Sequence, residues 1–271
     1  MGIINAGFDP SVFMAEEEAT PSPWFHFSID DVFDSLIEVT DKNIPLFEHP
    51  YFSLLKEMHD TYGVIVGLHL FFQKKINGKL RSLCDVRDLK KEIADAGGWI
   101  YFGPHALDYE NAPYAQSVDE QVAVFSRTYD EIDRFAGKNS YAKWIRLHFY
   151  SESYELADYF KKRGITSLFS TDKPVGSHRM PQNIKDQLND VGSATYEGMN
   201  FLRTHFRVEF FADDNLNKIA IENLFKESLV KYGYIILYAH EYEFARREVC
   251  EALKSSFEIL NKLSVKSLPK V

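Results

Sequence analysis

The sequence predicts an α/β fold, a single-domain barrel of alternating strands and helices, and three observations carry it. A chain of 271 residues that is 45% hydrophobic can bury one large core. Strand and helix patterns alternate about seven times, with no internal repeat and no flexible linker. Several strands end in an ionisable residue, as in parallel barrels whose connecting loops converge on a site. Periodicity alone leaves a doubly wound sheet open as the alternative.

Residues 1–23 read as an N-terminal extension, with Glu16, Glu17 and Glu18 followed by Pro21 and Pro23, and the barrel is expected over 24–271. WFHFSID (24–30) alternates as a strand, FEHPYFSLLKEMHDTYG (47–63) holds a helix starting near Pro50, and VIVGLHLFF (64–72) is a strand. VRDLKKEIADAGG (86–98) is an amphipathic helix stopped by its glycines, WIYFGPH (99–105) a strand, and 118–137 a helix. WIRLHFY (144–150) reads as a strand, 153–164 as a helix and TSLFST (166–171) as a strand. Beyond these, 183–192 is helical, MNFLRTHFRVEFF (199–211) a strand with a bend, 215–233 a helix, YIILYAH (234–240) a strand and 244–263 a last helix.

Composition excludes several classes. With 31 basic against 40 acidic residues the net charge is −9, which disfavours general nucleic-acid binding. No zinc-finger spacing, P-loop or GxGxxG occurs. Cys84 and Cys250, the two cysteines, read as free structural thiols. The N-terminus lacks the basic and apolar regions of a signal peptide, and no window of about 18 apolar residues suggests a membrane span. A cytoplasmic location is therefore expected.

Asp30 and Asp31 stand at the end of the first strand. One reading is a helix N-cap, a role aspartate favours. Taken with His69, His105, His148 and His240 at other strand ends, a shared site is the better account. Histidine and carboxylate suit zinc and similar divalent ions, which polarise carbonyls and acidify water. Arg146 and His148 are two apart in a strand pattern, so alternation sends them to one face. An arginine facing the interior needs an anion, and Asp30 or Asp31 supplies it, either as catalytic support or as a structural ion pair.

Over roughly residues 24–245 these motifs resemble, in divergent form, the polysaccharide deacetylase (NodB-homology, carbohydrate esterase family 4) superfamily. The resemblance implies a distorted (β/α)7 barrel. In SIDD (28–31) it makes Asp30 the catalytic base and Asp31 a metal ligand. In HALDY (105–109) His105 matches the first of two ligand histidines, and Tyr109 stands where the second belongs. In RLHF (146–149) Arg146 supports the base, and His148 replaces a proline. Asp172 in STDKP matches an aspartate that orients the general acid, and His240 in YIILYAHE matches the acid itself.

The implied activity is metal-dependent removal of an N-acetyl or related acyl group from a sugar or polysaccharide precursor, in surface-polysaccharide assembly, with zinc as the metal. Tyr109, Tyr114 and Tyr150 are expected to stack on sugar rings, and the loop 108–120 to select substrate. His148 is expected to replace the lost ligand, with Asp108 and Glu110 as the loop alternatives. A metal-free pseudoenzyme, serving as a carbohydrate-binding or interaction module, is the competing reading, and another metal-dependent hydrolysis is a third.

Overall fold

A computed structural model describes residues 22–171 and 179–268. The chain runs through β1 (Trp24–Val32), α1 (Asp34–Lys42), α2 (Pro50–Tyr62), β2 (Val66–Phe71), the hairpin β3 (Gln73–Ile76) and β4 (Lys79–Ser82), α3 (Lys90–Asp95) and β5 (Ile100–Ala106). It continues with α4 (Val118–Phe135), β6 (Trp144–Ile145), α5 (Ala157–Lys161), β7 (Ser167–Ser170), α6 (Gln182–Val191), β8 (Ser193–Tyr196) and β9 (Met199–Arg203). Last come β10 (Phe206–Arg207), α7 (Val208–Asp213), α8 (Lys218–Tyr232), β11 (Tyr234–His240), α9 (Arg247–Lys262) and β12 (Lys266–Ser267).

The strands form two main sheets. One has the order β10-β11-β1-β2-β5, all parallel, with β12 also on β1. The other has the order β6-β7-β9-β8, parallel except for β8. A bridge from Phe102 to Tyr141 joins their near edges. At the far side the segment between β9 and β10 crosses over: Thr204 N–H donates to Ser170 and His205 N–H to Ile236, each at 3.1 Å. The hydrogen-bond ladder is therefore α/β and largely parallel, but it does not run unbroken round a barrel. The break falls at β6, which has two residues where seven were expected. From His148 the chain turns through left-handed backbone at Phe149 (φ 52°) and Tyr150 (φ 51°), which no strand accommodates.

Two other expectations change. The helix predicted over 86–98 shortens to α3: Val86 is extended after a short 3-10 turn (Leu83–Asp85), so the helix starts only at Lys90, and Gly97 and Gly98 at positive φ stop it as expected. The strand predicted over 199–211 divides into β9, β10 and the start of α7. One apolar cluster runs through both sheets, with Phe27, Leu68, Phe102, Phe201 and Leu237 at its centre. Burying each such side chain is worth about 1.5–3 kcal/mol. No helix among the described residues is long and apolar enough to cross a membrane.

Two packing details position the site. A Cβ on Gly103 would lie 2.6 Å from Ile145 Cγ2, so glycine lets β6 close on β5. Helix α1 has no side-chain cap of its own. Glu241 supplies one from across the fold, accepting the N–H groups of Phe33, Asp34 and Ser35 at 2.9, 2.8 and 2.9 Å. Asp30 and Asp31 are thereby free of the capping role.

Candidate functional site

Adjacent strand residues normally point to opposite faces. Asp31 escapes this rule with left-handed backbone (φ 62°), and the β1–β2 register shifts between Ile29 and Val32. Both carboxylates consequently line one cleft, of about 470 Å³, with His105, Arg146, His148 and His240. Strain of this kind at a non-glycine residue costs roughly 1–3 kcal/mol and concentrates at functional sites.

The first cluster joins Asp31, His105 and His148. Asp31 Oδ1 lies 3.2 Å from His105 Nε2 and 3.5 Å from His148 Nδ1, and the two ring nitrogens are 3.2 Å apart. The outer nitrogens are already committed: His105 Nδ1–H donates to the Arg146 carbonyl at 2.7 Å, and His148 Nε2–H to the Tyr109 carbonyl at 3.2 Å. Each ring thus turns a lone pair inward. Asp31 Oδ1 is buried without a hydrogen-bond partner. Three acceptor atoms within 4.8 Å of one another repel unless a proton or a cation lies among them. Burial alone would lower the His105 pKa, but the Asp30 and Asp31 carboxylates outweigh it and raise it. Burial and the neighbouring His105 push His148 down to about 4. The donor set and its outer hydrogen bonds fit a divalent cation.

The second cluster surrounds Asp30. His69 Nδ1–H donates to Asp30 Oδ1 at 2.7 Å, and Arg146 Nη1 lies 3.3 Å from both carboxylate oxygens. Burial would raise the Asp30 carboxyl, yet Arg146, His105 and His69 together hold it far below the usual carboxylate range. Arg146 also donates to Ser28 Oγ (2.9 Å) and Thr204 Oγ1 (3.1 Å) and packs on the Phe169 and Tyr238 rings. His69 is fully buried behind Asp30, outside the cleft wall.

On the strand next to β1, in register with Asp30, His240 ends β11, and its Nδ1–H donates to Glu209 Oε1 at 2.6 Å. Sequence reading missed Glu209, which it placed in a strand. Arg146 and His148 do meet in the cleft, but alternation is not the reason: His148 arrives through the turn after β6. Tyr109 and Tyr114 stand exposed at the rim, at 60% and 37%. Tyr150 also lines the cleft, with its hydroxyl 2.6 Å from that of Tyr238. Asp172 lies outside the described residues.

No family model and no curated protein matches the chain. Among solved structures it is similar in fold to the 4-α-glucanotransferase of Thermococcus litoralis, with TM-score 0.53 and 14% identity, covering 90% of this chain and 37% of that one. The chain thus spans little more than a third of that enzyme. A family 4 carbohydrate esterase from Streptomyces lividans, in complex with acetate, gives TM-score 0.47 and 11% identity over 90% of this chain and 91% of that one. A CE4 family pseudoenzyme from Bacillus anthracis gives 0.46 and 13% over 91% and 63%.

Proposed function

We propose that this chain is a divergent carbohydrate deacetylase, a hydrolase that removes an N-acetyl group from a sugar or polysaccharide precursor. The observation that carries the reading is the convergence of Asp31 Oδ1, His105 Nε2 and His148 Nδ1, each held by its own element. In this reading β1, β2, β5, β6, β7, β9–β10 and β11 are the seven strands of an interrupted barrel.

Asp31, His105 and His148 would hold a divalent ion, and two imidazoles with one carboxylate favour zinc. Bound there, it supplies Lewis-acid polarisation of the amide carbonyl and an acidified water. Asp30 accepts the proton of the attacking water. Arg146 and His69 fix its position and keep it ionised, at the expense of basicity, so placement is the larger part of its contribution. His240 faces the other end of the scissile bond and protonates the departing amine as the C–N bond breaks. The products are a free amino sugar and acetate. Tyr109 and Tyr114 offer exposed ring faces for stacking on a sugar, and Tyr150 a ring whose hydroxyl is pinned.

The test is metal content with acetate release. Protein loaded with zinc should hold about one equivalent and release acetate from N-acetylglucosamine oligomers. Protein that stays metal-free after soaking and releases none would overturn the reading in favour of a binding module.

A further inference from the structure

Glu209 lies in the first turn of α7 with its side chain fully buried. Its Oε1 meets three donors: His240 Nδ1–H at 2.6 Å, the His240 backbone N–H at 3.1 Å and Arg207 Nε–H at 3.1 Å. We propose that Glu209 is the positioning residue for His240, the role the family resemblance gives to Asp172; this rests on the deacetylase reading above. A carboxylate paired with arginine accepts hydrogen bonds, so the proton between the two side chains belongs to His240 Nδ1. Nε2 is then the nitrogen left for the cleft, which His240 lines.

One oxygen bonded to both the backbone and the ring of the same residue fixes the ring's rotation as well as its tautomer. Arg207 steadies that oxygen from the other side and also reaches the Tyr242 hydroxyl at 3.4 Å. In the reaction, protonated His240 passes its Nε2 proton to the departing amine nitrogen as the C–N bond breaks. The neutral Nδ1–H imidazole that remains is the form already bonded to Glu209. The contact survives the transfer, and Glu209 neither gains nor loses a proton.

A purely structural Glu209–Arg207 pair makes a different prediction, and the leaving group separates the two. An amide needs its amine protonated, whereas 4-nitrophenyl acetate loses a phenolate that leaves without a proton. In zinc-loaded protein, Glu209→Gln should lower kcat on an N-acetylated sugar by about 10²–10³-fold, with KM little changed, and hydrolysis of the ester by less than about threefold. Glu209→Asp should recover part of the amide activity. Equal losses on both substrates, or no loss on the amide, would overturn the assignment. Nitrogen-15 NMR of the histidine rings reads it without turnover: His240 should carry its proton on Nδ1 in the parent protein and lose that preference in Glu209→Gln. A parent protein with the proton on Nε2 overturns the positioning role even if it is active. A parent protein with the Nδ1 tautomer but no hydrolysis of either substrate overturns the deacetylase reading instead.

Discussion

Asp30 keeps its carboxylate among donors that the chain itself supplies, His69 and Arg146. Asp31, the next residue, turns a buried oxygen toward two imidazole lone pairs and finds no donor. Residue type and sequence position do not distinguish these two carboxylates. Environment does: one is satisfied by protein, the other faces two further acceptors, as the proposed metal site requires. Such a division between neighbouring acids is how one fold assigns them separate chemical tasks.

The largest effect should come from breaking that division. Asp31→Asn and His105→Gln should abolish zinc stoichiometry and acetate release together. Asp30→Asn should keep the zinc and lose turnover by about 10²–10⁴-fold. If Asp30→Asn sheds its metal as well, the two carboxylates do not have separate roles. His148→Ala should lose zinc and Glu110→Gln should keep it; the reverse result moves the third ligand to the loop.

Next in size is the stability of the Asp30 side. Arg146→Met leaves a buried carboxylate short of its counter-charge, and urea unfolding should show a loss of about 3–5 kcal/mol. Adding Asp30→Asn to that variant should restore part of the loss, because the unpaired charge is gone. No recovery would mean that Arg146 matters only for packing on Phe169 and Tyr238.

On the Asp31 side the comparison sharpens with pH. The folded, metal-free protein raises His105 above its ordinary value near 6.5, so the group's stabilising contribution is full below that value. It is lost as pH rises through the folded value. Zinc needs the bare Nε2, so its affinity should climb over the same interval, by up to about tenfold per pH unit. His148, at about 4, is already neutral in the folded protein and adds no slope to zinc affinity near neutrality. Its effect on stability is a rise with pH between about 4 and 6.5, so the two trends are compared above about 6.5. Calorimetric zinc titrations and melting of the metal-free protein should therefore run in opposite directions; parallel trends would place the shared proton elsewhere.

The smallest effect is expected at the rim. Tyr109→Ala removes an exposed ring but keeps the carbonyl that holds His148, so zinc content should not change. KM for a glycan should rise about 2- to 10-fold with kcat unaffected. A loss of metal would show that the side chain, and not the backbone, supports the cluster.

Much of this was legible in the sequence, and what was not has identifiable causes. The alternation of strands and helices, and the strand-end residues Asp30, Asp31, His105, Arg146 and His240, could be read because burial imposes periodicity. The end of β6 could not: WIRLHFY looks extended, and nothing in Phe149 or Tyr150 announces left-handed backbone. His148 reaches the cluster, but the alternation argument that led there does not apply to a turn. The bulge at Asp31 was invisible for the same reason. Glu209 was hidden by β-favouring neighbours in a six-residue helix that tertiary packing, not propensity, stabilises. The β3–β4 hairpin was missed although Asn77-Gly78, both at positive φ, is a standard signal for such a tight turn.

The pairing of β1 also bears on how the chain is synthesised. A ribosome delivers β1 first of these strands, whereas its parallel neighbour β11 and the short β12 are the last of them to emerge, and Phe33 meets Glu241 across 208 positions. Loop closure over that span is slow and comes late. Until β11 emerges β1 therefore has β2 on one side and an unpaired edge on the other, a liability for a strand so apolar. The register that sets Asp30 opposite His240 is among the last to form. A nascent chain halted before residue 234 already carries Asp30, Asp31, His105 and His148, yet lacks His240, the acid of the proposed mechanism.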